Sequence, residues 1–118
     1  MRFATVAMTL AAWLIAQSAQ AHAHLEKSTP AEGSTLSAPP AAVEMTFSEA
    51  ARLTALWIQR DQEQRRAIKD LPANAGTVLR VALPVLTSGA YVLAWRAVGA
   101  DGHVTSGVLH FAVSPRVG

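Results

Sequence analysis

Two groups of residues, far apart in the chain, have the types and spacing to bind a metal ion. The first is His22 and His24, which follow Ala19-Gln20-Ala21, a small-x-small sequence of the form that signal peptidases cut. A cut after Ala21 would give His22 a free α-amine beside its own imidazole, so that one residue offers two nitrogen donors. His24 would lie two residues further on the same face of an extended segment. The chain end made by such a cut is therefore a candidate metal chelator.

The second group is Asp101-Gly102-His103, in a predicted connection between two strands. Gly102 allows a sharp turn, and the i, i+2 spacing lets the carboxylate and the imidazole lie on one side of the loop. Alone the tripeptide is a weak signal, because Asp-Gly is an ordinary turn and a loop histidine is more often solvated than bound to metal. Its significance comes from His22, since an N-terminal strand and a late connection can lie at the same end of a β-sandwich.

Residues 1–21 are predicted to be a cleaved signal peptide, followed by one domain over residues 22–118. Arg2 supplies the positive start of the signal, and residues 3–16 form an almost uninterrupted apolar run. This run is shorter than the roughly 20 apolar residues that span a bilayer, and polar residues follow it directly. Removal of 21 residues from 118 leaves 97, enough for one small domain with a modest core.

The composition excludes several classes of function. Of the ten Lys and Arg residues, Arg2 lies in the predicted signal peptide, so nine remain against eight Asp and Glu. The basic residues are scattered and no basic stripe with interleaved aromatic residues occurs, so nucleic acid is not expected as a partner. The chain has no cysteine. Disulfides, thiolate metal sites and cysteine catalysis are therefore excluded.

Apolar residues that alternate with polar ones predict short strands along the whole mature chain. The predicted strands are 22–28, 43–48, 53–59, 77–83, 91–98 and 104–113. Polar residues 60–69 are either a short helical turn or a hairpin tip, and we favour the hairpin. Gly107 is expected to mark a bend or bulge in the last strand. Several short strands separated by turns, with no convincing helix, predict an all-β, antiparallel β-sandwich.

The aromatic residues give two further expectations. Tyr91 begins a strand two residues after Gly89, which is the placement of a tyrosine corner, although an ordinary strand tyrosine is an equal alternative. Trp57 and Trp95 are predicted to be core residues and not residues that stack on a ligand.

Taken together, these motifs resemble the CopC-type periplasmic copper-binding proteins over essentially the whole mature chain. The matching segments are His22-Ala23-His24-Leu25, Ser28-Thr29-Pro30-Ala31-Glu32-Gly33, Thr46-Phe47-Ser48-Glu49, Gly89-Ala90-Tyr91-Val92-Leu93-Ala94-Trp95-Arg96, Asp101-Gly102-His103 and Ser106-Gly107. The resemblance implies an immunoglobulin-like Greek-key β-sandwich in the periplasm. It also implies one Cu(II) bound by the amine and imidazole of His22 together with Asp101 and His103, with Glu49 at the position of an acidic residue near the family's site.

The donor chemistry agrees with this ligand set, because Cu(II) favours nitrogen and oxygen ligands in a tetragonal plane. Glu49 is either a carboxylate that orients a ligand or a solvated surface residue. His24 is either an extra or alternate ligand or only a neighbour of His22. A chelate through the amine, two amides and the third-residue imidazole would compete with strand pairing for the same amides. His110 is predicted to be a surface histidine and no ligand.

The methionine content separates this chain from relatives that hold Cu(I) in a methionine-rich loop. Met45 is the only methionine after the predicted signal peptide, and the alternation of its strand predicts that it is buried. No Cu(I) site is therefore expected. The expected function is therefore a monomeric periplasmic carrier or buffer of Cu(II) in copper resistance or homeostasis. Its expected partners are an inner-membrane copper importer or another periplasmic copper protein.

Two alternatives stay open. A copper oxygenase can use a similar amine-and-imidazole chelate, but such enzymes need an extended substrate-binding face that a 97-residue chain has little room for. A metal-free structural or adhesive sandwich is the other. We expect no enzymatic activity.

Overall fold

The structure is a computed structural model that describes residues 23–114. His22, the predicted signal segment 1–21 and residues 115–118 lie outside the described residues. The described part consists of seven strands joined by turns and loops. They are β1 (Leu25–Thr29), β2 (Ser34–Leu36), β3 (Ala42–Arg60), β4 (Arg66–Ala67), β5 (Gly76–Ala82), β6 (Gly89–Gly99) and β7 (Val104–Val113). Between residues 23 and 114 there is no helix long and apolar enough to cross a membrane.

Strand β3 belongs to both layers of the sandwich. Its first half, 42–47, lies between β1 and β5 and pairs with both in the antiparallel sense. Its second half, 51–60, pairs with β6 on one side and with the short β4 on the other. Strand β6 continues the second layer by pairing with β7, and β7 pairs with β2. This arrangement confirms the predicted all-β sandwich.

The length of β3 corrects the prediction of two strands, 43–48 and 53–59, separated at Glu49. The chain stays extended through 48–52, and the pairing register with β5 shifts between Thr46 and Ala51. The chain therefore passes from one layer to the other without a turn. The sequence suggested an end here because polar and small residues interrupt the apolar alternation.

The core lies between the two layers and is formed by their inward-facing side chains. Phe47 of the first layer contacts Trp95 of the second, edge to face, with ring centroids 5.4 Å apart. The largest side chains that are completely buried are Phe47, Met45, Leu56, Ile58, Leu93, Val43 and Val81. Alternate residues of β3, β5 and β6 supply this set, as period-two alternation requires.

Strand β7 has no bulge at Gly107, which corrects that prediction. Its pairing with β6 is continuous from Val98–Val104 to Gly89–Val113. Gly107 instead lies directly opposite Trp95, and a Cβ at this position would be 2.9 Å from Cζ2 of the indole. The glycine is therefore required for the close approach of the Trp95 ring to the strand.

The structure confirms the tyrosine corner. The hydroxyl of Tyr91 donates to the carbonyl of Thr87 at 2.6 Å and accepts from the backbone N–H of Thr87 at 3.1 Å.

Trp95 is buried, as predicted. The prediction was wrong for Trp57, which is only half-buried, with the guanidinium of Arg65 4.4 Å from its ring centroid and that of Arg96 at 5.6 Å. The polar interval predicted as a hairpin does form one, through the pairing of β4 with β3.

The short strand β2 was not predicted. It pairs in parallel with the last strand, β7. Glu32 reinforces this contact, because its carboxylate accepts from the backbone N–H of His110 at 2.9 Å and lies 2.9 Å from Nδ1 of the same residue. His110 is exposed, as predicted.

The contact between Glu32 and His110 predicts an acid-sensitive contribution to stability. Its backbone and side-chain hydrogen bonds lower the pKa of the Glu32 carboxyl. A lowered pKa in the folded state stabilises the fold above the ordinary pKa of glutamate, and this contribution is lost as the pH falls through the folded-state pKa. We therefore expect the difference in melting temperature between the wild-type protein and Glu32→Gln to shrink from neutral to strongly acidic pH. Calorimetry checks this, and a difference independent of pH would contradict it.

Candidate metal centre

The connection between β6 and β7 is a tight turn that places Asp101 and His103 side by side. Gly102 has a φ of 84°, which favours glycine, and its N–H donates to the carbonyl of Gly99 at 2.9 Å. The N–H of Gly99 in turn donates to the carbonyl of His103 at 3.0 Å. These bonds close the loop, so the positions of its two polar side chains are set by backbone geometry.

The carboxylate of Asp101 holds His103 through two contacts. Oδ1 accepts from the backbone N–H of His103 at 3.0 Å, and Oδ2 lies 2.9 Å from the ring Nδ1. An ionised carboxylate can only accept, so the shared proton belongs to Nδ1. In this arrangement the ring nitrogen without a proton is Nε2. Carboxylates that orient a histidine in this way are common beside metal ions.

The first described residues lie against this loop. Ala23 is only 2% exposed, and its carbonyl accepts from the hydroxyl of Thr105 at 3.3 Å. A Cβ placed on Gly99 would be 3.7 Å from the backbone nitrogen of Ala23 and 3.1 Å from Oδ1 of Asp101. The start of the described chain and the Asp101–His103 loop are therefore neighbours at one end of the sandwich. His22, the predicted chelating residue, precedes Ala23 and lies outside the described residues.

His24 is exposed, but its main chain is engaged with β3. Its N–H donates to the hydroxyl of Ser48 at 2.9 Å, and its carbonyl accepts from the N–H of Ser48 at 2.8 Å. A chelate that used the His24 amide nitrogen would have to break the first of these bonds. The imidazole remains on the surface, and its role as a ligand stays a hypothesis.

Glu49 directly follows Ser48 and is exposed, in the part of β3 where the chain passes between layers. It is therefore one residue from the strand position that holds His24, and its role in orienting a ligand also stays a hypothesis. Within residues 23–114 no three histidine, aspartate or glutamate side chains come together to hold a metal ion.

The sequence indicates His24, Asp101 and His103 as candidate donors, but it gives no role to Ser48, Thr105 or Gly99, which lie beside Ala23 and His24 in the structure. The bond from Thr105 to Ala23 joins residues 82 apart in sequence. No local pattern could have found it, because it exists only once β7 lies beside the start of the chain.

The sequence of this chain is similar to proteins that are already known. A family model described as the CopC domain matches residues 25–114. Copper resistance protein C of Pseudomonas syringae pv. tomato is 34% identical over 122 aligned residues, which cover 95% of this chain and 96% of that protein. Copper transport protein CutJ of Bacillus subtilis (strain 168) is 36% identical over 101 residues, 79% of this chain but 18% of CutJ.

A solved structure agrees with the fold. The crystal structure of CopC from Methylosinus trichosporium OB3b matches with a TM-score of 0.68 at 22% identity. The match covers 82% of this chain and 98% of that one.

Proposed function

We propose that this chain, which belongs to the CopC domain family, binds Cu(II) and acts as a carrier or buffer in copper resistance or homeostasis. One observation carries the proposal. Ala23, the residue after the predicted N-terminal histidine, is buried at the loop that holds Asp101 and His103. His22 directly precedes Ala23 in the sequence, which supports a site that it shares with this carboxylate and imidazole.

The proposed ligands are the α-amine and imidazole of His22, one ring nitrogen of His103 and an oxygen of Asp101. Three nitrogens and one oxygen suit the tetragonal preference of Cu(II). The contact between Asp101 and His103 supports this set, since Oδ2 and Nδ1 are already side by side, 2.9 Å apart, and both become donors once the proton between them is lost. Both imidazoles and the amine must be deprotonated to bind, so acid is expected to release the metal.

We propose that residues 1–21 are removed on export, that the mature protein acts in the periplasm as a monomer, and that each chain holds one Cu(II). Met45 is completely buried in the core, which supports the absence of a thioether site for Cu(I) in the mature chain. A copper importer of the inner membrane or another periplasmic copper protein is the proposed receiver. The likeness to a copper transport protein supports this.

We also propose that the bound copper is not used for catalysis. The aromatic face that a polysaccharide-cutting enzyme would need is not offered by Trp57, because the guanidinium of Arg65 lies 4.4 Å from the centre of its ring. The Cu(II)-loaded protein is expected to give no sustained peroxide with ascorbate and oxygen. Sustained peroxide production would favour an enzyme.

The test of the proposal is a Cu(II) titration of protein that begins at His22, in competition with a chelator. Electron paramagnetic resonance then counts the nitrogens bound to copper. We expect one Cu(II) per chain with three nitrogens. Binding that is no tighter than that of a short peptide with the same first residues would contradict the proposed centre.

The closeness of Gly99 to the centre predicts the effect of a single methyl group. Gly99→Ala would place a Cβ 3.1 Å from Oδ1 of Asp101, and the carboxylate would have to move by a few tenths of an ångström. We expect the Cu(II) affinity to fall about fivefold, less than the roughly 10–100-fold cost of losing a ligand-orienting group, because the carboxylate is displaced and not removed. Gly76→Ala is the matched control, since its Cβ would meet only ordinary contacts of 3.5 Å or more. Equal losses in the two variants would argue against the assigned site.

A further inference from the structure

Two hydroxyl groups hold the segment Ala23–His24, one from the part of β3 that passes between the layers and one from β7. Ser48 of β3 exchanges two hydrogen bonds with the main chain of His24, of 2.9 and 2.8 Å. Thr105 of β7 donates to the carbonyl of Ala23 at 3.3 Å. The segment is thus tied to both β3 and β7 at the end of the sandwich where the Asp101–His103 loop lies.

These contacts matter because the segment precedes the regular pairing of β1. The ladder between β1 and β3 begins with the pair Leu25–Phe47, and its register shifts between Leu25 and Lys27. Residues 23 and 24 therefore lie beyond the ladder, next to an irregular part of it. Among the hydrogen bonds described for their backbone, those with Ser48 and Thr105 are the ones that connect them to the rest of the fold.

We propose that Ser48 and Thr105 are positioning residues for the copper centre, which fix the chain start so that the amine and imidazole of His22 meet Asp101 and His103. This inference rests on the proposed function. A chelating group at an unrestrained chain end loses conformational freedom when it binds, whereas a fixed one has already lost it on folding. The two hydroxyls therefore raise the Cu(II) affinity without contacting the metal.

The test uses Ser48→Ala and Thr105→Val in protein that begins at His22, titrated with Cu(II) against a competing chelator. Each variant is expected to bind about fivefold more weakly, the effect of one lost hydrogen bond. Ser48→Thr keeps a hydroxyl and is expected to bind like the wild-type protein. Unchanged affinity in both Ser48→Ala and Thr105→Val would overturn the proposal.

Two matched controls lose the same kind of bond elsewhere. Thr54→Val removes a donation to the carbonyl of Arg96 at 3.2 Å, and Ser34→Ala removes one to the carbonyl of Ala31 at 2.7 Å. Both controls are expected to keep the wild-type affinity. An equal loss in the controls would overturn the proposal, because the effect would then be one of general stability.

The same substitutions in a protein with one extra residue before His22 distinguish a positioning role from a structural role. With one extra residue before His22 the α-amine is displaced, so Ser48→Ala and Thr105→Val are expected to change the residual affinity less than twofold. The same loss in both backgrounds would overturn the inference while leaving the proposed function intact. If the protein that begins at His22 bound Cu(II) no more tightly than the extended one, the proposed function itself would fail.

Discussion

One extra residue before His22 is expected to lower the affinity for Cu(II) at least about 100-fold, since loss of a group that merely orients a ligand costs 10–100-fold. The extension converts the α-amine of His22 into an amide and breaks the chelate ring between the amine and the imidazole. The buried position of Ala23 strengthens the effect, because a chain start held against the loop cannot easily rearrange. Titration against a competing chelator measures the change.

Two controls make this result specific. The same residue added after Gly118 leaves the α-amine of His22 in place and is expected to change nothing. Acetylation of His22 removes the basic amine without lengthening the chain by a residue, and it is expected to reproduce the loss. Equal affinities for the extended protein and the protein that begins at His22 would exclude the amine as a ligand.

The strands were predictable where one face is buried and the other is exposed. Strand β7 spans Val104–Val113, the range that the alternation predicted, and Val43, Met45 and Phe47 all face the core as expected. The continuity of β3 was not predictable from this signal. Residues that cross between layers change the neighbours they pack against, so the alternation is interrupted although the backbone stays extended.

Short strands, and contacts between residues that are distant in sequence, could not be predicted from the sequence either. Strand β2 has three residues and pairs in parallel with β7, so it depends on a neighbour that is distant in sequence. Gly107 was expected to disrupt a strand, but its role is to admit the ring of Trp95. The sequence shows that a glycine is present, whereas only the structure shows which side chain occupies the space.

For the candidate site, the sequence could supply the donors but not their arrangement. The pairing of Asp101 with His103 is local, so the i, i+2 spacing indicated it. The contact of Ala23 with Thr105 depends on the complete fold. The role of Asp101 as the group that orients His103 also needed the structure, because spacing does not show which ring nitrogen faces the carboxylate.

The chain contains two histidines in nearly the same local setting, and only one of them lies at the proposed centre. In both His103 and His110 the backbone N–H and Nδ1 contact the two oxygens of one carboxylate. Both side chains are largely exposed, 65% for His103 and 53% for His110. At about 3.3 Å per residue along β7, the two histidines are roughly 20 Å apart. They differ in whether residue 23 lies nearby and in the exposure of the carboxylate, which is 23% for Asp101 and 59% for Glu32.

His103→Ala is expected to lower the Cu(II) affinity about 100-fold and to remove one nitrogen from the electron paramagnetic resonance pattern, as expected when a ligand is lost outright. His110→Ala makes the same chemical change and also breaks a histidine–carboxylate pair, but it is expected to keep the wild-type affinity. If the two variants lost affinity equally, copper would be binding to surface histidines in general. If only His103→Ala lost it, the difference would be due to position, because both histidines make the same two contacts with a carboxylate.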